Sequence, residues 1–124
     1  MSKNVFIAES NKFLFEVLLE SLPHFGFTVV GTTSKIPDLE ALILKTKPDL
    51  LIVDFHLSKN AGLNNFKNIS KLKKQLPEMK IVVTGIHEAV DHFIKYIRNS
   101  GFDGFWNKYE KPTDFFKMLS LLFA

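Results

Sequence analysis

Residues 50–54 read Leu50-Leu51-Ile52-Val53-Asp54, four apolar residues followed directly by one carboxylate. An apolar run without polar alternation predicts a strand that is buried on both faces, as in a parallel sheet covered by helices. In open parallel sheets, ligands bind beyond the carboxyl ends of the strands. The stretch therefore predicts the type of sheet and places Asp54 where a functional group is expected.

Three other strand-like runs also end in polar side chains. They are Val5–Ala8 before Glu9, Ile81–Val83 before Thr84, and Phe105–Asn107 before Lys108. The carboxyl ends of parallel strands lie along one edge of a sheet. We therefore expect Glu9, Asp54, Thr84 and Lys108 to converge, although they are far apart in the sequence.

Strand-like and helix-like segments alternate along the whole chain, with Gly, Pro or Asn at most of the joints. Strands are predicted at 5–8, 28–31, 50–54, 80–84 and 102–107, and helices at 12–22, 37–47, 66–76, 90–97 and from Pro112 onward. Such alternation requires right-handed crossovers and helices on both faces of the sheet. The prediction is an α/β fold, a doubly wound (βα)5 three-layer sandwich with a five-stranded parallel sheet, as one domain over residues 1–124.

The composition favours a globular protein that requires neither disulfide bonds nor a structural metal for its stability. The chain has 124 residues, of which 46% are apolar and 23% charged, and it contains no cysteine. Disulfides and thiolate chemistry are therefore excluded. No apolar run approaches the roughly 18 residues of a membrane span, and the first residues carry no secretion signal, so we expect a cytoplasmic protein with no membrane partner.

The net charge of +3 is too small to indicate a nucleic-acid partner. Four lysines, Lys67, Lys71, Lys73 and Lys74, cluster in the predicted third helix. A solvated helix face is the favoured interpretation of this cluster.

The residue types at the predicted edge suit phosphoryl transfer. A carboxylate such as Asp54 can accept a phosphoryl group as an acyl phosphate if the negative charges are offset. Lys108 offers an ammonium, Thr84 offers a hydroxyl donor, and an acidic residue after strand one would help to hold Mg²⁺.

These positions resemble the receiver domain of bacterial two-component response regulators, from the first strand to the last helix. The resemblance implies a flavodoxin-like, CheY-like fold in which Asp54 accepts phosphate from a histidine kinase or phosphotransfer protein. Thr84 and Phe105 match the switch positions of the family, and Lys108 matches its lysine. Val29–Gly31 and Gly104–Lys108, followed by Pro112, are most similar to receivers of LuxR/NarL-type transcription regulators.

The resemblance also implies a Mg²⁺ site formed by Glu9, Asp54 and the backbone carbonyl of His56. Ser10 stands where the family usually has a second acidic residue. Its hydroxyl is a poorer ligand for Mg²⁺ than a carboxylate, so weaker metal binding is expected. Ser10 or its neighbour Asn11 is also expected to cap the first helix.

A further departure from the family pattern follows the lysine. Tyr109 stands where the family often has a cis proline, so a trans Lys108–Tyr109 peptide bond is expected.

The apolar excess of the last helix predicts some exposed apolar surface. In receivers, the face formed by helix four, strand five and helix five commonly serves for contacts, so a homodimer through this face is expected.

Three hypotheses about function remain open at this point. The first is a phosphoryl-accepting switch, at most capable of self-phosphorylation and dephosphorylation and otherwise not an enzyme. The second is a degenerate receiver that binds proteins independently of phosphorylation, as Ser10 permits. The third is a small flavodoxin-like cofactor carrier, which Glu9 disfavours because an acidic residue in the turn after strand one would repel the pyrophosphate of a dinucleotide cofactor.

Overall fold

Five parallel strands form the sheet at the centre of the molecule. They are β1 (Lys3–Ala8), β2 (Phe27–Thr33), β3 (Leu50–Asp54), β4 (Lys80–Gly85) and β5 (Gly104–Asn107). Their order in the sheet is β2-β1-β3-β4-β5. The computed structural model describes residues 2–34, 39–58, 63–85 and 101–124. The predicted α/β fold with five parallel strands is confirmed.

The described helices connect or follow these strands. They are α1 (Lys12–Ser21), α2 (Leu39–Thr46), α3 (Leu63–Gln75) and the last helix (Pro112–Leu122), with short 3-10 helices at Leu22–Phe25 and Phe55–Ser58. Asn11 caps α1, since its Oδ1 accepts a hydrogen bond of 2.9 Å from the Leu14 N–H. The predicted helix at 12–22 is confirmed to within one residue, and the chain then continues as a 3-10 turn that contains Pro23 and ends at Gly26, which has φ of +86°. Proline is compatible with this turn because it lies in its first positions.

The sheet separates two apolar clusters. Leu50 and Ile52 face the cluster formed with α1 and the last helix, whereas Leu51 and Val53 face the cluster formed with α2 and α3. This alternation follows from the two-residue period of a strand. All five residues of β3 are buried, as the apolar run predicts for a central strand with helices on both faces.

The pairing of β1 with β2 contains a bulge that depends on a glycine. Val5 pairs with Val29, but Phe6 pairs with Gly31, so Val30 is skipped. A Cβ atom on Gly31 would lie 2.5 Å from Cε2 of Phe6. The fully buried Phe6 ring therefore fits against the edge strand only because residue 31 has no side chain.

Several predicted features differ in extent or lie outside the described residues. β2 continues to Thr33, and β5 begins only at Gly104. The start of the second helix at Pro37 and the predicted helix at 90–97 fall outside the described residues. Lys73 is ion-paired with Asp103 rather than solvated, while Lys71 and Lys74 are exposed. Within the described ranges, every helix is too short or too polar to cross a membrane.

Candidate functional site

The carboxyl ends of four strands bring the predicted residues together. Asp54 is the last residue of β3 and is in register with Thr84 of β4. Glu9 directly follows β1, and Lys108 directly follows β5. The side chains of Glu9, Asp54 and Thr84 are buried. Parallel topology therefore places two carboxylates, one hydroxyl and one ammonium at one edge of the sheet.

Lys108 connects the two carboxylates. Its Nζ lies 2.9 Å from Oε2 of Glu9 and 3.0 Å from Oδ1 of Asp54, and only 13% of its side chain is exposed. Its backbone N–H donates to the carbonyl of Gly85 at 2.9 Å, which extends the pairing of β4 and β5 by one residue. The backbone thus fixes the start of the lysine side chain, and the two carboxylates fix its end.

The carboxylate of Glu9 has donors on both oxygens. Oε1 accepts a hydrogen bond of 3.2 Å from the Thr84 hydroxyl, and Oε2 accepts one of 2.9 Å from the Asn11 N–H in addition to the ammonium. Burial, followed by the neighbouring Asp54 carboxyl, raises the pKa of Glu9 above its ordinary value. The donors from Asn11 and Lys108 act in the opposite direction but do not outweigh these causes.

Ser10 holds the second oxygen of Asp54. Its backbone N–H donates to Oδ2 at 3.2 Å, and its hydroxyl donates to the same oxygen. Both oxygens of Asp54 therefore accept from the chain, and the residue has no exposed surface. From the sequence, Ser10 was predicted only as a cap of the first helix or as a weak ligand for Mg²⁺. The sequence contains no signal for the contact with Asp54, because that contact depends on the path of the turn after β1.

The remaining predicted positions lie close to this edge. Phe105 is partly buried against the cluster of α2 and α3, whereas its neighbour Trp106 is buried on the opposite face. Trp106 is in register with Thr84. His56 belongs to the 3-10 helix that directly follows β3. The described peptide bonds include no cis bond, so the expected trans bond between Lys108 and Tyr109 is confirmed.

The carboxylates of Glu9 and Asp54 suit a hard divalent cation in charge, but they provide few protein ligands. Glu9 and Asp54 share one ammonium, which leaves their combined negative charge only partly balanced. The described residues contain no group of three His, Cys, Asp or Glu side chains that could hold a metal. Mg²⁺ commonly binds through one or two carboxylates and keeps several waters. Glu9 and Asp54 would therefore fit such a site, with waters as most of the remaining ligands.

A cleft with both polar and apolar lining lies beside Glu9. Its volume is about 480 Å³, and it is lined by Glu9 and Ser10 before α1, by Lys12 and Phe15 of α1, and by residues 32–34 at the end of β2. Ser10 thus contacts the cleft on one side and Asp54 on the other.

Comparison with solved structures shows the same fold in bacterial regulators. A LuxR-family DNA-binding response regulator from Staphylococcus aureus matches with a TM-score of 0.81 and 19% identity, covering 98% of this chain and 99% of that one. The receiver domain of AraT from Geobacillus stearothermophilus matches with a TM-score of 0.81 and 20% identity, covering 98% and 93%. An orphan response regulator from H. pylori matches with a TM-score of 0.81 and 19% identity, covering 99% and 98%.

At such low sequence identity, structural likeness shows only the fold. The family of the chain follows instead from comparison of its sequence. No curated protein matches the chain. The family model described as the response regulator receiver domain matches residues 5–120. This range begins within β1 and ends within the last helix, so it includes most or all of each described strand and all four of Glu9, Asp54, Thr84 and Lys108. The chain therefore belongs to the family of response regulator receiver domains.

Proposed function

We propose that the chain is a phosphoryl-accepting switch in which Asp54 receives a phosphoryl group from a histidine kinase or phosphotransfer protein. The observation that carries this proposal is the 3.0 Å contact between Nζ of Lys108 and Oδ1 of Asp54. It places a fixed positive charge beside a carboxylate at the end of a parallel strand.

The transfer step balances without a further reactant. A carboxylate oxygen of Asp54 forms a bond to phosphorus while the bond from phosphorus to the donor's imidazole nitrogen breaks, and the imidazole keeps that electron pair. With acetyl phosphate as donor, the P–O bond breaks and acetate leaves. Lys108 then faces the phosphoryl oxygens. Mg²⁺, if bound by Glu9, Asp54 and the carbonyl of His56, supplies additional positive charge against the same oxygens.

The switch follows from the position of Thr84. Its hydroxyl donates to Glu9 in the unmodified chain. We expect the same hydroxyl to donate to the phosphoryl group after transfer. Thr84 pairs with Trp106, and Val83 pairs with Phe105, so a shift of β4 acts directly on β5. A phosphate that binds one of two conformations better changes their populations. The output is a change of the face that includes β5 and the last helix, where a homodimer can form.

Intact mass spectrometry after incubation with acetyl phosphate and Mg²⁺ tests the proposal. The wild type is expected to gain one phosphoryl group, and Asp54→Asn none. Asp49→Asn is the matched control, because Asp49 directly precedes the same strand at its opposite end, where its carboxylate accepts from the Asn4 N–H. An unmodified wild type, or equal addition to Asp54→Asn, would contradict the proposal.

The burial of Asp54 supports a second candidate function, a module that binds proteins without phosphorylation. Both carboxylate oxygens have donors from the chain, and the residue is 0% exposed. A titration with Mg²⁺, followed by the fluorescence of Trp106, separates the two candidates. A response at millimolar Mg²⁺ favours the phosphoryl switch. No response, together with no phosphorylation, favours the binding module.

A further inference from the structure

We propose that Ser10 is a latch that keeps Asp54 closed to solvent and thereby limits the rate at which a phosphoryl donor reaches it. This inference deepens the proposed function and rests on it for the effect on phosphorylation. The latch itself is a structural property of Ser10 and Asp54 and is testable without any phosphoryl donor.

Ser10 contributes two donors to one oxygen of Asp54. Its backbone N–H and its hydroxyl both donate to Oδ2. Hydrogen bonds to an ionised acceptor are stronger than those between neutral groups. Because the other oxygen accepts from Lys108, Asp54 is held from two sides and has no exposed surface.

Helix capping does not account for the Ser10 hydroxyl. Asn11 performs that role through its bond to the Leu14 N–H. Ser10 can therefore leave Asp54 without uncapping α1. A carboxylate at position 10 would repel Asp54 at neutral pH, whereas a hydroxyl donates to it, so serine converts this position from repulsion to attraction.

Ser10 lies between Asp54 and the open cleft. Ser10 is exposed and lines the 480 Å³ cleft, whereas the described residues that line this cleft do not include Asp54. A small phosphoryl donor that approaches through the cleft meets Ser10 before Asp54. Opening the hydroxyl contact is then the step that admits it.

Chemical labelling of Asp54 tests the latch directly. The folded protein is treated with a water-soluble carbodiimide and an amine, and the labelled carboxylates are identified by peptide mass spectrometry. Ser10→Ala is expected to increase the labelling rate of Asp54 about tenfold, since it removes a hydrogen bond to a charged group. Labelling of the exposed Asp114 is expected to stay unchanged and serves as the internal control.

Two further variants distinguish the latch from a general loosening of the fold. Ser10→Thr keeps a hydroxyl and is expected to label Asp54 at nearly the wild-type rate. Ser120→Ala removes an exposed serine from the last helix, whose hydroxyl donates to the Phe116 carbonyl, and is expected to behave like the wild type. Faster labelling in Ser10→Thr, or no acceleration in Ser10→Ala, would overturn the latch.

Phosphorylation by acetyl phosphate is measured on the same three variants. About tenfold faster modification of Ser10→Ala, with wild-type rates for the other two, would support both proposals. Accelerated labelling without phosphorylation of any variant would leave the latch standing and reject the proposed function. Phosphorylation of the wild type with unchanged labelling and rate in Ser10→Ala would reject the latch and support the proposed function.

Discussion

The ammonium of Lys108 lies 3.0 Å from Oδ1 of Asp54, although 54 residues separate the two along the chain. The same ammonium lies 2.9 Å from Glu9, so one cation serves two buried carboxylates. Two anions close together in a region of low dielectric are costly unless a positive charge compensates them. The contact is therefore important for stability as well as for the proposed chemistry.

Replacing Lys108 with alanine is expected to lower the free energy of unfolding by about 3 kcal/mol at neutral pH, because both carboxylates lose their cation. Urea denaturation followed by circular dichroism measures this value. Lys117→Ala removes an exposed lysine of the last helix and is expected to change stability by less than about 0.5 kcal/mol. Equal effects of the two substitutions would show that the ammonium does not stabilise the carboxylates.

Glu9 is expected to make stability depend on pH. Burial and Asp54 raise the pKa of Glu9, so the folded chain binds this proton more tightly than the unfolded chain does. The proton on Glu9 stabilises the folded chain at low pH. This contribution is lost as the pH rises from the ordinary pKa of a glutamic acid through the raised pKa of Glu9. Glu9→Gln has no such proton to lose. Its free energy of unfolding, relative to the wild type, is therefore expected to increase across this window.

The size of this relative increase is about 1.4 kcal/mol for each unit by which the pKa of Glu9 is raised. Urea denaturation of both proteins at a series of pH values measures it. A difference that stays constant with pH, or that falls as the pH rises, would show that the folded state does not favour the protonated form.

Gly31→Ala is expected to lower the free energy of unfolding by about 1–3 kcal/mol, because the new Cβ would overlap the buried ring of Phe6. Gly104→Ala in β5 is the matched control. Its Cβ would lie 3.3 Å from Sδ of Met118, a flexible side chain that can adjust, so a smaller loss is expected. Thermal and urea denaturation measure both. In a Phe6→Leu background the cost of Gly31→Ala should fall, and an unchanged cost would exclude the overlap.

Asp103 is expected to stabilise the opposite end of the sheet. Its Oδ2 accepts from the Ile81 N–H at 2.8 Å and from Nζ of Lys73 at 3.0 Å. Asp103→Ala leaves the Ile81 N–H and the Lys73 ammonium without this acceptor, and it should lower the free energy of unfolding by about 2 kcal/mol. Asp103→Asn keeps an oxygen for the Ile81 N–H and should cost less. Urea denaturation of the two variants gives the comparison, and equal losses would assign the effect to charge alone.

The extent to which the fold was predictable differs between strands. β3 was predicted with its observed bounds because an unbroken apolar run ends in a charged residue. β2 was predicted to end at Gly31, because glycine interrupts the apolar run and the two residues after it, Thr32 and Thr33, are polar. They belong to an edge strand, which tolerates polar side chains because one of its sides lacks a neighbouring strand. The 3-10 turn after α1 was missed because proline is compatible with both a helix end and the start of such a turn.

The convergence of Glu9, Asp54, Thr84 and Lys108 was predictable because topology alone places strand ends together. Their individual hydrogen bonds were not. The contact of Ser10 with Asp54 depends on the side-chain rotamer and on the path of the turn after β1, and neither is encoded in strand spacing. For the same reason, the bond from Thr84 to Glu9 could not be predicted.

The strand order has a consequence for how the acidic edge would come apart. The carboxylates of Glu9 and Asp54 are attached to β1 and β3, each of which has a strand on both sides, whereas Lys108 follows β5, the outermost strand beside β4. Peripheral strands fray at lower energetic cost than interior ones. Local fraying of β5 would thus withdraw the ammonium of Lys108 while both carboxylates stay in place. Amide hydrogen exchange at 104–107 should report how often the two carboxylates lose this counterion.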